Sequence, residues 1–389
     1  MNKIMILIYC VMHISHVHAQ KGFAVSPVAD LVGHSLTKSD ISYDNLPVAS
    51  INLAACPRMH QLLYNETIDI IKETEHEYYV EIPHIFFVTK SNNKPHCSYW
   101  IKKKHIVPLD SIKKNEQQYI PEPIDFRNNK KSNQKIITLI KPLFCKRMNV
   151  TFSVGTRFVL SKRHDNHYIA YAYNPKQKKF IHLHIPISNA LSTQNHTKEQ
   201  ALHTYRILLK NWANMSGYTP YVWGGCSLTT QNKTDTFSLQ SKTKNYVIKD
   251  DTKIYKHGFD CAGLIARAAQ TAGIPYYYKN TTTLAHYLKP IQQKNAMHDG
   301  DLIWIPGHVM AIGSLTNNTV IEARHYSHGY GKLHEIPLQE IFKGIKTFDQ
   351  LFDAVNKKQI LQRLNKDGSV VQKIYDTKLL SMASCYITN

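Results

Sequence analysis

The chain of 389 residues has no apolar run long enough to span a bilayer. An apolar stretch over residues 4–12 follows Lys3, and "VHA", ending at Ala19, has the small-residue pattern of a cleavage site. This order predicts a secretory signal peptide over residues 1–19. We therefore expect an exported chain, periplasmic or secreted, with no transmembrane segment after cleavage.

No two cysteines have the C-x-x-C spacing of a zinc ribbon or a thioredoxin-like site. The sequence has seven cysteines, and Cys10 lies in the predicted signal peptide. Cys56 and Cys97 are candidates for a disulfide within one small unit, which the sequence alone does not fix. We expect neither a metal nor a cofactor.

Acidic residues are scarce, with 28 Asp+Glu against 48 Lys+Arg and a net charge of +20. The basic residues are spread along the chain rather than clustered in one motif, and the predicted export argues against a nucleic-acid partner. An anionic envelope polymer is a candidate partner through long-range attraction, and a solvated lysine-rich surface without a partner is the alternative. We expect a monomer.

The pattern of short apolar segments divides the rest of the chain. Residues 20–45 contain turn formers and little periodicity, which predicts an irregular segment. Residues 46–110 and 134–192 consist of short runs rich in Ile, Val and Tyr between polar turns, which predicts two small all-β barrels. The polar, proline-marked residues 111–133 predict a linker between them.

Helical signals begin near Thr197, and apolar strand-like runs follow, which predicts an α+β unit over residues 197–345. Thr197 is a candidate helix cap, with Glu199 and Gln200 in the first turn. Residues 346–389 form a C-terminal extension with both helical and strand signals and no predicted role.

"FDCAGLIARAAQTAG" predicts a helix that begins at a cysteine. Asp260 is a good N-cap, the apolar spacing after it is helical, and Gly273 is a stop signal. Cys261 then lies in the first turn, where unpaired N–H groups and the helix dipole favour a thiolate. The alternative is a small buried hydrophobic residue, as most free cysteines are.

A nucleophilic cysteine needs an imidazole that accepts its proton and a polar group that orients the imidazole. "GDLIWIPGHVMAIG" offers His308 at the start of an otherwise apolar strand. Residues 200–340 also resemble the NlpC family of cell-wall cysteine peptidases, which have a papain-like α+β fold. Three blocks in the family's order carry the resemblance: "PYVWGG", "FDCAGLI" and "GDLIWIPGHVMAIG".

The resemblance implies that Cys261 is the nucleophile and His308 the base. Ala262 departs from the family, which usually has Ser there. The family's third polar residue aligns with Glu322 in "NTVIEARH", and His325 is the alternative. On a strand these two residues face opposite sides, so only one can orient His308.

The resemblance also implies substrate-binding residues. Tyr221 matches the family tyrosine near the nucleophile. Export, two bacterial SH3-like barrels and an NlpC-type domain together resemble the gamma-D-glutamyl-L-diamino-acid endopeptidases. That subgroup implies that Glu66, Tyr99 and Asp260 bind the free amino group of an L-Ala-D-Glu stem. The alternative is that the barrels only bind wall or pack against the enzyme.

The fold class expected from these features is two small all-β SH3-like barrels followed by an α+β papain-like domain. The implied function is hydrolysis of the gamma-D-Glu to diamino-acid bond in peptidoglycan stem peptides. Two alternatives stay open: a non-catalytic wall-binding scaffold, and an amidase or acyltransferase on the same papain-like fold.

Overall fold

A computed structural model describes residues 19–50, 56–89, 92–124, 134–192, 196–215, 219–229, 239–242, 245–248 and 257–386. The predicted signal peptide, apart from Ala19, lies outside the described residues. Within the described ranges, no helix combines the length and apolar character that a membrane crossing requires.

The N-terminal β region forms a seven-stranded antiparallel sheet and a separate short hairpin. The first ten strands in chain order are β1 Gln20–Ala24, β2 Val28–Val32, β3 Ala49–Ser50, β4 Arg58–Leu63, β5 Thr67–Glu73, β6 Glu77–Glu81, β7 Phe87–Thr89, β8 Asn92–His96, β9 Ser98–Lys102 and β10 Ile106–Pro108. The strand order in the sheet is β10-β1-β5-β6-β9-β2-β4, and β7 pairs with β8.

The segment expected to be irregular, residues 20–45, instead contains β1 and β2. β1 lies between β10 and β5, with Gly22 paired to both Pro108 and Ile68. Each strand has only five residues, which is too short for periodicity to show, and the partners of β1 lie far along the chain. The expectation of an irregular segment was therefore wrong. It used local sequence signals, whereas pairing with distant residues makes these segments strands.

Residues 134–192 form a second β region, as their pattern predicts. A five-stranded sheet of order β16-β15-β14-β11-β17 lies beside a β12–β13 hairpin. β16 alternates buried and exposed residues, which is the period-two signature of one covered face. The strands are β11 Ile136–Leu139, β12 Leu143–Cys145, β13 Val150–Phe152, β14 Arg157–Arg163, β15 His167–Asn174, β16 Lys179–Pro186 and β17 Ala190–Leu191.

The α+β region packs helices against a five-stranded antiparallel sheet of order β23-β22-β21-β20-β26. Helices α1 and α2 contact each other, and both contact strands β21 and β22. Thr197 and Gln200 form a capping box at the start of α1, as predicted. The elements are α1 Lys198–Asn214, β18 Leu239–Lys242, β19 Asn245–Ile248, α2 Cys261–Ala272, α3 Thr281–Tyr287, β20 Leu302–Ile305, β21 His308–Ser314, β22 Thr319–Arg324, β23 Lys332–Pro337, α4 Phe348–Asn356, β24 Leu361–Leu364, β25 Val370–Ile374 and β26 Lys378–Leu380.

The C-terminal extension, residues 346–389, contributes to the α+β sheet. β26 is the edge strand beside β20, with Leu302 paired to Leu380. β24 and β25 form a hairpin, and an isolated bridge joins Phe342 to Arg363. The boundary expected at residue 345 therefore does not separate the extension from this sheet.

The first β region and the α+β region share an apolar cluster. Leu62 and Tyr99 of the first sheet belong to the same buried cluster as Leu264 of α2 and Val309 of β21. The coarse part of the predicted fold class, β regions combined with an α+β region, is thus present. The SH3-like and papain-like arrangements remain predictions at this point.

Helix α2 approaches the "PYVWGG" segment so closely that only glycine fits at Gly263. A Cβ at that position would lie 2.0 Å from the Gly225 carbonyl oxygen, a backbone atom that cannot rotate away. Gly263→Ala should lower the free energy of unfolding by about 1–3 kcal/mol or more. The measurement is urea unfolding. Gly33→Ala is the matched control, because its Cβ would meet only the Met59 side chain at 3.3 Å. Equal stability of the two variants would contradict this packing.

Candidate active site

Asp260 caps α2 as predicted and also holds the neighbouring loop. Its carboxylate accepts hydrogen bonds from the Gly263 N–H at 2.5 Å and from the Gly224 N–H at 2.9 Å. The helix ends at Gly273, whose φ of +86° is the left-handed conformation that glycine adopts readily. These contacts place Cys261 as the first residue of the helix, against the "PYVWGG" segment.

Cys261 is only 8% exposed. Burial and the adjacent Asp260 carboxylate raise the pKa of the thiol to about 12, although the N–H groups of Val309 and Ala262 act in the opposite direction. The thiol is therefore protonated at neutral pH in this structure. The expectation of a helix-stabilised thiolate considered the helix dipole, whereas burial has the larger effect.

His308 and Glu322 form a hydrogen-bonded pair across neighbouring strands β21 and β22. Nε2 of His308 lies 2.7 Å from Oε2 of Glu322, which leaves Nδ1 as the ring atom able to exchange a proton elsewhere. Burial, followed by the positive charge of Arg363, lowers the pKa of His308 to about 4, although Glu322 opposes this. The ring is thus a neutral base at neutral pH. Because Val309 donates to the Cys261 thiol, His308 is adjacent to the residue that contacts the sulfur.

Glu322 is fully buried and surrounded by basic groups. Beyond His308, its carboxylate contacts Arg363 Nη2 at 2.8 Å, His334 Nε2 at 3.3 Å and Arg324 Nη1 at 3.5 Å. Burial alone would raise the pKa of Glu322, but Arg363 and the hydrogen bonds from both histidines lower it well below its usual range. Glu322 is therefore ionised.

Of the two candidate orienters, the structure places Glu322 rather than His325 on His308. His325 follows β22 and caps a short 3-10 helix, where its Nδ1 lies 2.8 Å from the Ser327 hydroxyl. Its ring lies edge-on to Tyr221, with centroids 5.3 Å apart. The backbone direction changes after Arg324, and this change carries His325 away from the pair.

Tyr221 lies near the cysteine, as the resemblance implies. Its backbone carbonyl accepts a hydrogen bond from the Tyr326 hydroxyl at 2.8 Å. Burial raises the pKa of its phenol well above the usual value, and the neighbouring Cys261 and Asp260 raise it further. The hydroxyl is therefore a protonated group available as a donor beside Cys261.

Glu66 and Tyr99 occupy different surroundings from those expected. Glu66 Oε1 pairs with Arg267 Nη1 at 2.6 Å, and Oε2 accepts the Leu63 N–H at 2.8 Å. Tyr99 is fully buried, with its hydroxyl 3.5 Å from the Ile85 carbonyl. Both carboxylate oxygens of Glu66 are thus engaged inside the protein. Glu66 is therefore not placed to bind a substrate amine. The sequence did not reveal this, because its partner Arg267 lies 201 residues further along the chain.

Three residues around Glu322 were missed by the sequence reasoning. Arg324 lies two residues after Glu322 on the same strand face, so the period-two rule was a usable signal. His334 lies opposite Glu322 in the β22–β23 register, which sequence alone did not give. Arg363 had no local signal, because its hairpin meets the site only in the folded chain.

None of the six described cysteines forms a disulfide, so the candidate pairing of Cys56 with Cys97 is absent. Among the described residues, no group of three His, Cys, Asp or Glu side chains is arranged to hold a metal ion.

Comparison with known proteins gives a match to solved structures only. An NlpC/P60 family protein from Bacillus cereus ATCC 10987 matches with a TM-score of 0.51 and 14% identity, over 82% of this chain and 94% of that chain. NlpC2 from Trichomonas vaginalis matches over the same shares with 10% identity and a TM-score of 0.32, which is too low to support an argument. No protein-family model and no curated protein matches the sequence.

The chain thus has a fold like that of an NlpC/P60 family protein. This confirms, for the fold, the resemblance seen in the three sequence blocks. At 14% identity the likeness carries the fold and nothing beyond it.

Two partly buried histidines make the folded state sensitive to acid. The pKa values of His308 and His328 are lowered by burial and nearby arginines to about 4 and about 3, against 6.5 in an unfolded chain. The unfolded state therefore binds more protons as pH falls from about 6.5 to about 4, and stability falls over that window. Urea midpoints measured from pH 7 to pH 4.5 should decrease.

A His328→Gln variant should show a shallower decrease in the urea midpoint, because one ring whose pKa is lowered in the folded state is gone. His286→Gln is the control, since His286 is exposed. Identical slopes for wild type and His328→Gln would contradict the assignment.

The Glu66–Arg267 pair should be structural. Arg267→Met leaves a buried carboxylate unpaired and should lower the free energy of unfolding by about 3–5 kcal/mol. Adding Glu66→Gln should restore part of this, because the amide carries no charge and can still accept from the Leu63 N–H. Urea unfolding of the two single variants and the double variant measures the coupling. Additive effects would show that the two side chains do not interact.

Proposed function

We propose that this chain is an exported cysteine peptidase that hydrolyses the gamma-D-Glu to diamino-acid amide bond of peptidoglycan stem peptides. The observation that carries the proposal is the constellation of Cys261 at a helix start beside a strand that begins with His308, itself hydrogen-bonded to Glu322 at 2.7 Å. The NlpC/P60-like fold supports the reaction class, and the predicted signal peptide supports export.

The proposed catalytic cycle starts from a neutral Cys261 thiol and a neutral His308 ring. His308 Nδ1 accepts the thiol proton as the sulfur attacks the amide carbon and the carbonyl electrons move to oxygen. The backbone N–H of Cys261, at the start of α2, is a natural donor to this oxyanion. The C–N bond then breaks, and the proton on His308 passes to the leaving amine. Water, deprotonated by His308, hydrolyses the thioester and releases the thiol.

Glu322 has two roles in this cycle. Its hydrogen bond to Nε2 fixes the ring orientation, with Nδ1 as the proton-accepting atom. Its negative charge stabilises the imidazolium that forms transiently. Tyr221, near the sulfur, is the residue proposed to contact substrate. Asp260 is not proposed for this role, because its two carboxylate oxygens accept the Gly263 and Gly224 N–H groups. Glu66 and Tyr99 are not proposed for this role, because both are engaged within the protein.

The net charge of +20 supports attraction to an anionic wall polymer, which would concentrate the enzyme on its substrate. The intact constellation argues against a purely wall-binding scaffold. No observation favours an amidase or acyltransferase over the peptidase, and the products distinguish them.

The test is a digest of L-Ala-D-Glu-diaminopimelate and of the same stem still attached to muramic acid, followed by mass spectrometry. We expect release of diaminopimelate, with Cys261→Ala reducing the rate by at least about 10³-fold because the nucleophile is lost. Cleavage of the muramic acid to L-Ala bond would instead indicate an amidase. Undiminished cleavage by a folded Cys261→Ala variant would refute the mechanism.

A further inference from the structure

Glu322 lies where four basic side chains converge, and one of them comes from the C-terminal extension. Its Oε2 is shared between His308 Nε2 at 2.7 Å and Arg363 Nη2 at 2.8 Å. Its Oε1 faces the other two basic groups, His334 and Arg324. The carboxylate oxygen that meets the proposed base is therefore the one that Arg363 holds.

We propose that Arg363 is a positioning residue of the active site: from the β24–β25 hairpin it holds the Glu322 carboxylate oxygen that meets His308 and offsets the negative charge of that carboxylate. The proposal rests on the proposed function only in taking His308 as the base. It assigns a role in the site to residues 361–374, which lie outside the span of the sequence resemblance.

The hairpin and β22 hold each other reciprocally. Arg363 of β24 reaches Glu322 of β22, while Arg324 of β22 donates from Nη2 to the Leu364 carbonyl of β24. β22 and β24 do not pair as strands, since β22 lies between β21 and β23 in its sheet. These side-chain contacts therefore link the two elements directly at the level of Glu322.

The surroundings of Arg363 indicate a role beyond filling space. Its side chain is 3% exposed, and its buried Nε has no hydrogen-bond partner among the described residues. Burial lowers the pKa of its guanidinium to about 10 although Glu322 raises it. Burying a cation in such a position costs free energy unless the cation is paired with an anion and hydrogen-bonded. The contact with Glu322 provides this pairing.

The charge of Arg363 also affects the proton affinity of His308. The groups that face His308 and Glu322 come from several elements: Arg363 from the hairpin, Arg324 from β22, His334 from β23 and His328 from the loop after β22. Cys261 of α2 interacts with Arg363. Arg363 is the largest charged contribution that lowers the pKa of His308. Without it, Glu322 should hold a proton on the ring at higher pH.

The experiment measures alkylation of Cys261 by iodoacetamide as a function of pH, read from the Cys261 peptide by mass spectrometry. The rate falls at acid pH when His308 is protonated and can no longer accept the thiol proton. We call the pH range over which the rate falls the acid limb. Arg363→Met should move the acid limb to higher pH by about one unit or more. Arg363→Lys keeps the charge and should stay near wild type. Lys373→Met, which removes an exposed cation from the same hairpin, should not shift the limb.

Folding is followed in parallel by thermal unfolding. Arg363→Gln, which retains amide donors but no charge, replaces Arg363→Met if that variant does not fold, and should show the same upward shift. A folded neutral variant with an unchanged acid limb would overturn the proposal, because a merely structural residue would lower stability without moving the limb.

Peptide digestion by the same samples separates this proposal from the proposed function. A shifted limb in Arg363→Met, together with no cleavage of stem peptides by wild type, would support the positioning role and refute the substrate assignment. Cleavage of stem peptides by wild type, together with an unshifted acid limb in Arg363→Met, would support the substrate assignment and refute the positioning role.

Discussion

The buried Glu322 carboxylate is the constraint on which the C-terminal half of this protein depends. An ionised group with no solvent exposure is tolerated only when it is paired and hydrogen-bonded. Its partners come from β21, β22, β23 and β24, so these elements must assemble together for the charge to be satisfied. The same requirement that stabilises the fold also holds His308, the neighbour of Val309, whose N–H contacts the Cys261 thiol. The C-terminal extension belongs to this assembly through Arg363 and through β26.

The electrostatics of the site favour a neutral resting pair over a preformed ion pair. Burial and Asp260 raise the pKa of the Cys261 thiol to about 12, and burial and Arg363 lower that of His308 to about 4. In the proposed mechanism the thiol therefore becomes anionic only as its proton moves to His308 during attack. Such a site needs a carboxylate beside the imidazole, because the charge that appears during the reaction lies in a poorly hydrated environment.

The β regions and the α+β region are joined through α2 itself. Arg267, on the same helix as Cys261, pairs with Glu66 of the first β region, and both side chains are buried. Leu62, Tyr99 and Leu264 lie in one apolar cluster across this junction. The first β region thus supports the helix that begins with Cys261. The first β region therefore acts on the site by fixing the position of α2. This differs from the direct contact between Glu66 and substrate that the sequence resemblance implies.

Local chemistry made several features predictable from the sequence. Asp260 and Gly273 bound α2 because capping and left-handed termination depend on single residue types, and the three blocks located Cys261 and His308. Contacts between distant segments were decided only by the tertiary structure. The strands at residues 20–45, the partner of Glu66, and the placement of Glu322 rather than His325 all depend on long-range pairing. Arg363 is the clearest case, since a charge's partner is set by which elements pack together, and no spacing rule connects residue 363 to residue 322.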